Sequence, residues 1–309
     1  MSRSLVCRAG SLLAMTDAKV ALADAKAANS NISLKGKFAL CVGGSSGCGL
    51  GTALTLARLG CKVTIVGRNE ARGAAAAAAI KAASGEECEF ISCDAKSFAA
   101  IKSTCQALNF DRLDFLTLSC TRGGIQGYKP TPEGYDERLM TMFLGRFAWV
   151  HALMPLLLKS EDPRILSILS AGNHQPYKAY ESDFLTKKAG MASRTFAAGW
   201  YTDCACSALA RAQPKLTLIH AFPGIVNTNW HLEMPWALKP VVKLMLNASG
   251  KKLEDCGEWM AYPLLQPQFA SGCYLRTEHA GAAPPTKVFD DATCDGVWAK
   301  AVEVFEKEL

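Results

Sequence analysis

Phe38-Ala39-Leu40-Cys41-Val42-Gly43-Gly44-Ser45-Ser46-Gly47-Cys48-Gly49 is the stretch that decides the fold. Five apolar residues make a short buried-strand pattern, a turn rich in glycine and serine follows, and Leu50 to Leu59 is a helix-forming run. A helix that starts out of such a turn leaves its first N–H groups unpaired, and these together with the helix dipole attract a phosphate. Gly43 permits the tight turn, Gly47 lets the backbone approach the anion, and Gly49 lets helix and strand pack closely. With Ser45, Ser46 and Cys48 completing the loop, the stretch predicts a cradle for the pyrophosphate of a dinucleotide. Glycine turns are common, so the context carries the inference: a strand before, a helix after and a second strand, Lys62 to Val66, beyond.

That second strand ends at Gly67-Arg68-Asn69. A site for NAD places an acid about 20 residues after the loop to hold the ribose 2′-hydroxyl. Gly67 leaves that place empty, and Arg68, with Asn69 beside it, can pair with a 2′-phosphate, which selects NADP(H). The other reading of Arg68 is a solvated arginine opening a helix. Asp94, closing the third strand, is a candidate acceptor for the adenine amino group or a plain turn residue.

Working outward, the chain alternates. Cys88 to Ser92, Phe115 to Ser119, Ile165 to Leu169, Leu216 to Ala221 and Cys273 to Arg276 are further short apolar runs. Helical stretches such as Asn69 to Ala83 and Cys294 to Leu309 lie between or after them. The pattern predicts an α/β fold, a Rossmann-type doubly wound parallel sheet with helices on both faces. Residues 1–34 form an N-terminal extension with a short helix. A single domain spans 35–309, of which 229–309 is a C-terminal lid or extension region.

The 309 residues carry a net charge of +6, spread without a basic stripe, and no recognition helix or zinc spacing is present, so nucleic acid is not an expected partner. Thirteen cysteines, an odd number without CxxC pairs, indicate free thiols in a reducing compartment and no metal site. No uninterrupted apolar run reaches the roughly 18 residues of a membrane span, the longest, Phe147 to Leu158, being broken by His151 and Pro155. The expected location is the cytoplasm. The basic, acid-free start, Met1 to Ala14, offers a mitochondrial alternative.

Taken in order, Val42 to Gly49, Gly67-Arg68-Asn69, Asp94, a serine after the fifth strand, and Pro223-Gly224-Ile225-Val226-Asn227-Thr228 resemble the short-chain dehydrogenase/reductase superfamily over about Leu34 to Trp230. The tail around Val297-Trp298 resembles a divergent eukaryotic branch of it. The resemblance implies a sheet of about seven strands, and a nicotinamide amide held by Val226 and Thr228 after the Pro223-Gly224 turn. It also implies catalysis by a tyrosine, a lysine four residues later, a serine and an asparagine, in which the phenol moves a proton and the lysine tunes it.

The serine is Ser170. Counting back from Pro223 and allowing for a long loop at Gln213-Pro214 puts the tyrosine and lysine positions at Gly190 and Arg194, and the asparagine falls on Met142 or Phe143. Glycine has no proton to give, and arginine does not titrate as lysine does. Leu118-Ser119-Cys120-Thr121 departs from the family's Asn-Asn-Ala-Gly. Tyr177 and Tyr180 have no lysine four residues on, Tyr201 lies too far along the helix, and His174 is a candidate acid or a solvated loop residue. Two functions follow. One is a catalytically degenerate NADP(H)-binding protein with a structural or regulatory role, with protein partners or a second copy of itself. The other is an active oxidoreductase taking a small carbonyl or alcohol substrate with a rearranged proton donor. The segment Asn229 to Leu246 is apolar, and core packing is the commonest reason for that.

Overall fold

The computed structural model describes residues 19–122, 124–284 and 289–309. The basic stretch Met1 to Ala14 lies outside them. Seven parallel strands, β1 (Phe38–Val42), β2 (Lys62–Gly67), β3 (Glu89–Ser92), β4 (Phe115–Leu118), β5 (Arg164–Ile168), β6 (Thr217–Ala221) and β7 (Gly272–Arg276), form one sheet in the order β3-β2-β1-β4-β5-β6-β7. Successive side chains leave a strand on opposite faces. Leu40 and Val42 enter one core and Ala39 and Cys41 the other, so an apolar run without polar gaps is what this strand requires.

The helices are α1 (Leu22–Ser30), α2 (Gly47–Arg58), α3 (Glu70–Ser84), α4 (Phe98–Ala107), α5 (Glu137–Leu139), α6 (Gly145–Leu158), α7 (Met191–Ala212), α8 (Lys239–Ser249), α9 (Leu253–Leu265) and α10 (Asp291–Glu308). On one face α4 packs with α6 and α7 with α10, burying Phe98, Phe147, Trp200 and Phe305. On the other, α2 packs with α9 and α3, and α1 with α9, burying Leu56, Met260, Ala25 and Ile80. The short helix α1 is held to α9 by Lys26–Asp255 at 2.8 Å and by the Asn29 amide donating to Glu258 Oε2 at 2.9 Å. The far part of the C-terminal region is equally structural, since β7 completes the sheet and α9 and α10 cover its two faces.

One expectation is corrected. The apolar stretch is not broken at His151 and Pro155, because α5, a π-helical turn (Met140–Leu144) and α6 run on as one helix of 22 residues, Glu137–Leu158. By length and composition that helix is able to cross a membrane, yet two thirds of its apolar window, 67%, is buried inside this fold. Its apolarity is accounted for by its place in the core.

Strand order reverses between β1 and β4, the two neighbours of which connect in opposite directions. The loops at the carboxyl ends of these strands diverge there and leave a crevice.

Candidate functional site

A cleft of about 600 Å³ opens at that switch point. Its floor is the turn after β1, where the Gly43 N–H donates to Val66 O and the Gly44 N–H to Cys41 O. Gly47 has φ +58°, a conformation glycine adopts freely, and a Cβ there would stand 3.3 Å from the Thr228 methyl. A side chain at Gly49 would run into Gly43 O. The loop is therefore pressed between its own helix and the loop after β6, and the opening N–H groups of α2 face the cleft.

Of the sequence-derived binding residues, Gly43, Ser45, Ser46, Gly47, Cys48, Arg68, Asn69, Asp94, Pro223, Gly224, Val226 and Thr228 all line this cleft. Gly49 packs behind its floor. Asn69 also caps α3, its side chain accepting from the Arg72 N–H at 2.8 Å. Asp94 accepts from the Lys96 N–H at 3.0 Å, the turn role. Arg72 joins Arg68 in the lining, and the sequence reading had not singled it out. A Cβ at Gly67 would stand 2.5 Å from Ser45 Oγ, so a side chain there would require the serine to turn away.

The structure does not bring Gly190 and Arg194 to Ser170. Gly190 is the exposed N-cap of α7, with nothing within 4 Å of where its Cβ would be. Arg194 is buried with its Nη1 donating to Ala189 O at 2.8 Å and its guanidinium over the Tyr128 ring. Neither lines the cleft. The α7 residue against Ser170 is Gly199, where a Cβ would run into Ser170 Oγ and stand 2.8 Å from His174 Nδ1.

Ser170 is gripped from both sides of its backbone. Its N–H donates to His220 Nε2 at 3.1 Å, and His174 Nδ1 lies 2.9 Å from its carbonyl oxygen. The other nitrogen of each ring meets one carboxylate, His220 Nδ1 at 2.5 Å from Asp203 Oδ1 and His174 Nε2 at 2.7 Å from Asp203 Oδ2. The second contact is an ion-pair approach that is not aligned as a hydrogen bond.

The partners fix the protons. His220 Nε2 accepts from an amide, so His220 carries its proton on Nδ1. His174 Nδ1 faces a carbonyl and must donate. Its Nε2 faces the second oxygen of the Asp203 carboxylate. Burial pushes the Asp203 pKa up, but His220 and His174 together outweigh it and hold the carboxyl below its ordinary value. Burial lowers the pKa of His220, more than Asp203 raises it.

His174 is thus a buried member of a His–Asp–His cluster and not a solvated loop residue. Neither Asp203 nor His220 was singled out from the sequence. A lone acid among the small residues of α7 and a lone histidine inside the β6 run were the available signals.

Arg146 is a third missed residue, a cation in an apolar helix. Its Nη1 donates to Leu118 O, Ser167 Oγ and Ile168 O, each at 2.9 Å, and its Nε to Cys120 O at 3.0 Å. The guanidinium ties together the carboxyl ends of β4 and β5. Burial lowers its pKa to about 10, which leaves it charged at neutral pH.

The tyrosines are engaged elsewhere. Tyr177 donates to Asp183 at 2.7 Å, and burial with that acid pushes its pKa up to about 12. Tyr201 donates to Phe184 O at 3.2 Å. Tyr180 donates to Glu181 at 3.3 Å. Among the described residues no tyrosine lines the cleft. Met142 and Phe143, the two candidates for the asparagine position, both sit in the π-helical turn.

Comparison with known proteins places this geometry. Residues 37–233 match the short chain dehydrogenase family. The chain is 30% identical over 220 residues to Oxidoreductase AN1596 of Emericella nidulans, covering 68% of this chain and 65% of that protein, so the match spans less than two thirds of that relative's length. It is 26% identical over 255 residues to human Polyprenol dehydrogenase, covering 78% of this chain and 77% of that one. Among solved structures it resembles the NADP active-site complex of Pseudomonas aeruginosa RhlG, with TM-score 0.61, 21% identity, and coverage of 79% of this chain and 95% of that one.

Proposed function

The chain belongs to the short-chain dehydrogenase family, an oxidoreductase family, and from that premise we propose that it binds NADP(H) and serves a structural or regulatory role without the family's tyrosine-based proton transfer. The cleft fits the cofactor on its own chemistry. The N-terminus of α2 and the loop around Gly47 suit the pyrophosphate, and Arg68 with Arg72 suits a 2′-phosphate. Val226 and Thr228 border the end where the nicotinamide would lie. When bound, the cofactor supplies or takes up a hydride.

The surroundings of Ser170 carry the reading. Beside its hydroxyl the helix presents Gly199, and His174 fills the adjacent space. The chain's own residues hold the serine backbone and satisfy the strand ends, which serves order more directly than turnover.

The test uses the purified full chain. NADPH should bind in a fluorescence titration and raise the melting temperature. A panel of aldehydes, ketones, quinones and apolar alcohols should give no substrate-dependent change in cofactor absorbance. A protein that binds no dinucleotide would remove the premise about the cleft, and robust turnover would remove the non-catalytic role.

One observation favours a second reading, an active oxidoreductase with a rearranged donor. The buried imidazole of His174 bridges the Ser170 carbonyl and the Asp203 carboxylate, one residue's backbone away from the Ser170 hydroxyl, and relatives carry the names oxidoreductase and polyprenol dehydrogenase. Under this reading the substrate is an apolar alcohol or carbonyl compound. Turnover that disappears in Ser170→Ala and in His174→Gln would establish it.

A further inference from the structure

Eight of the twelve exposed large apolar side chains among the described residues fall between positions 225 and 245. That concentration is unlike a scatter of single surface hydrophobes, which needs no explanation. The apolar segment Asn229 to Leu246 is therefore not core packing. Trp236 is 85% exposed, Leu244 70% and Val241 64%.

The helix α8 is turned the wrong way round for a helix covering a soluble core. Leu238, Val241, Met245 and Ala248 recur at helical spacing with Leu244 beside them, and all are exposed. Leu246 is its one buried residue. A protein-facing amphipathic helix has the opposite arrangement.

Within the segment itself the charges have one sign. From Met234 to Leu253 there are four lysines, at 239, 243, 251 and 252, and no Asp or Glu. Lys251 pairs with Glu278 at 2.9 Å. Lys239, Lys243 and Lys252 have no ion-pair partner among the described residues. An outward apolar stripe with a tryptophan at its start and lysines at its sides is the composition of a helix that lies in the headgroup layer of an anionic membrane.

We propose that α8 and Trp236 dock this protein on an anionic lipid surface, with the apolar stripe in the acyl boundary and Lys239 and Lys243 at the headgroups. The patch is continuous with the cleft, because Ile225, Trp230, Leu232 and Met245 are both exposed and part of its lining. On a membrane the mouth of the cleft faces lipid, and an apolar molecule can enter without crossing water. The docking itself does not depend on the nucleotide reading.

The experiment is flotation of the full-length protein with vesicles of phosphatidylcholine alone or mixed with phosphatidylserine. The protein should float with the mixed vesicles, and raised salt should weaken binding. Val241→Asp with Leu244→Asp should lower partitioning at least about tenfold. Lys239→Gln with Lys243→Gln should remove most of the preference for the anionic vesicles. Val241, Lys243 and Leu244 are exposed, Lys239 is half-buried, and all four lie outside the cleft lining, so unfolding temperature and NADPH titration should match the parent in both variants. That keeps a loss of docking distinct from a loss of fold or of nucleotide binding. Failure of the parent protein to float, or flotation of the double-aspartate variant at the parent level, would overturn the proposal. A self-associated parent that ignores vesicles and becomes monomeric in the double-aspartate variant would give the face to a second copy of the chain instead.

Discussion

Arg68 and Arg72 stand at the end of β2 and in the first turn of α3, two guanidinium groups lining one end of the cleft. If they receive a 2′-phosphate, Arg68→Ala should weaken NADPH about tenfold, on the order of 1.4 kcal/mol, and leave NADH nearly unchanged. Parallel titrations of the two cofactors measure this, and an equal loss for both would assign Arg68 another role. The buried cluster behind Ser170 makes stability depend on pH. His220 is held neutral in the fold, with a pKa below its ordinary 6.5. Beneath that pH the unfolded chain takes up a proton that the folded chain refuses, so stability falls until the lower folded value is reached. Asp203 adds to the loss at more acid pH. Its folded pKa is depressed, so its contribution is present above the ordinary carboxylate pKa and disappears as pH drops through the folded value. Urea midpoints at about pH 7.5 and about pH 5.5 should differ more for the parent than for His220→Gln. Identical differences would show that another group dominates. These residues were hidden in the sequence because their partners come from three elements: the Ser170 loop, α7 and β6. Nothing in the local order of Asp203 or His220 announces the others.

The loop between β1 and α2 shows what is legible at the scale of elements. Its glycines act on neighbours a few residues away, so spacing alone conveys the cradle. Strands were legible for a related reason. Burial on both faces removes polar residues and leaves runs such as Ile165 to Leu169, whose observed strand, Arg164–Ile168, is displaced by one residue. Which residue of α7 would stand against Ser170 was not legible. Residues 171–190 form turns without periodicity, so nothing local anchors a count from Ser170. Gly47→Val tests the cradle directly. It places a β-branched side chain at positive φ and against Thr228, which should cost about 1–3 kcal/mol of stability and reduce NADPH affinity below detection. Circular dichroism should still show the sheet. A folded variant with parent affinity would put the phosphates elsewhere.

Across the whole molecule, ligand and fold are linked through that same cleft, since its walls come from the loops after β1, β2, β3, β4 and β6. A hundredfold excess of NADPH over its dissociation constant should raise unfolding stability by about 2.7 kcal/mol. Chemical denaturation with and without NADPH measures the increment, and an unchanged midpoint would mean that the loops close without it. The membrane-facing segment relates differently to the rest. The Asn227 N–H donates to Lys251 O at 2.9 Å and the Lys251 N–H to Ile225 O at 3.0 Å, so the two ends of the segment are paired with each other beside the sheet. The segment from Thr228 to Gly250 runs out from that stitch and back to it, with Met234 and Leu246 as its buried anchors. Replacing 229–249 with a short Gly/Ser bridge should therefore leave a cooperatively unfolding sheet, although the burial of Met234 and Leu246 would be lost. Such a segment can be exchanged as a cassette. A relative could acquire a new address or a new cargo by swapping about twenty residues, with the scaffold that reads the nucleotide left untouched.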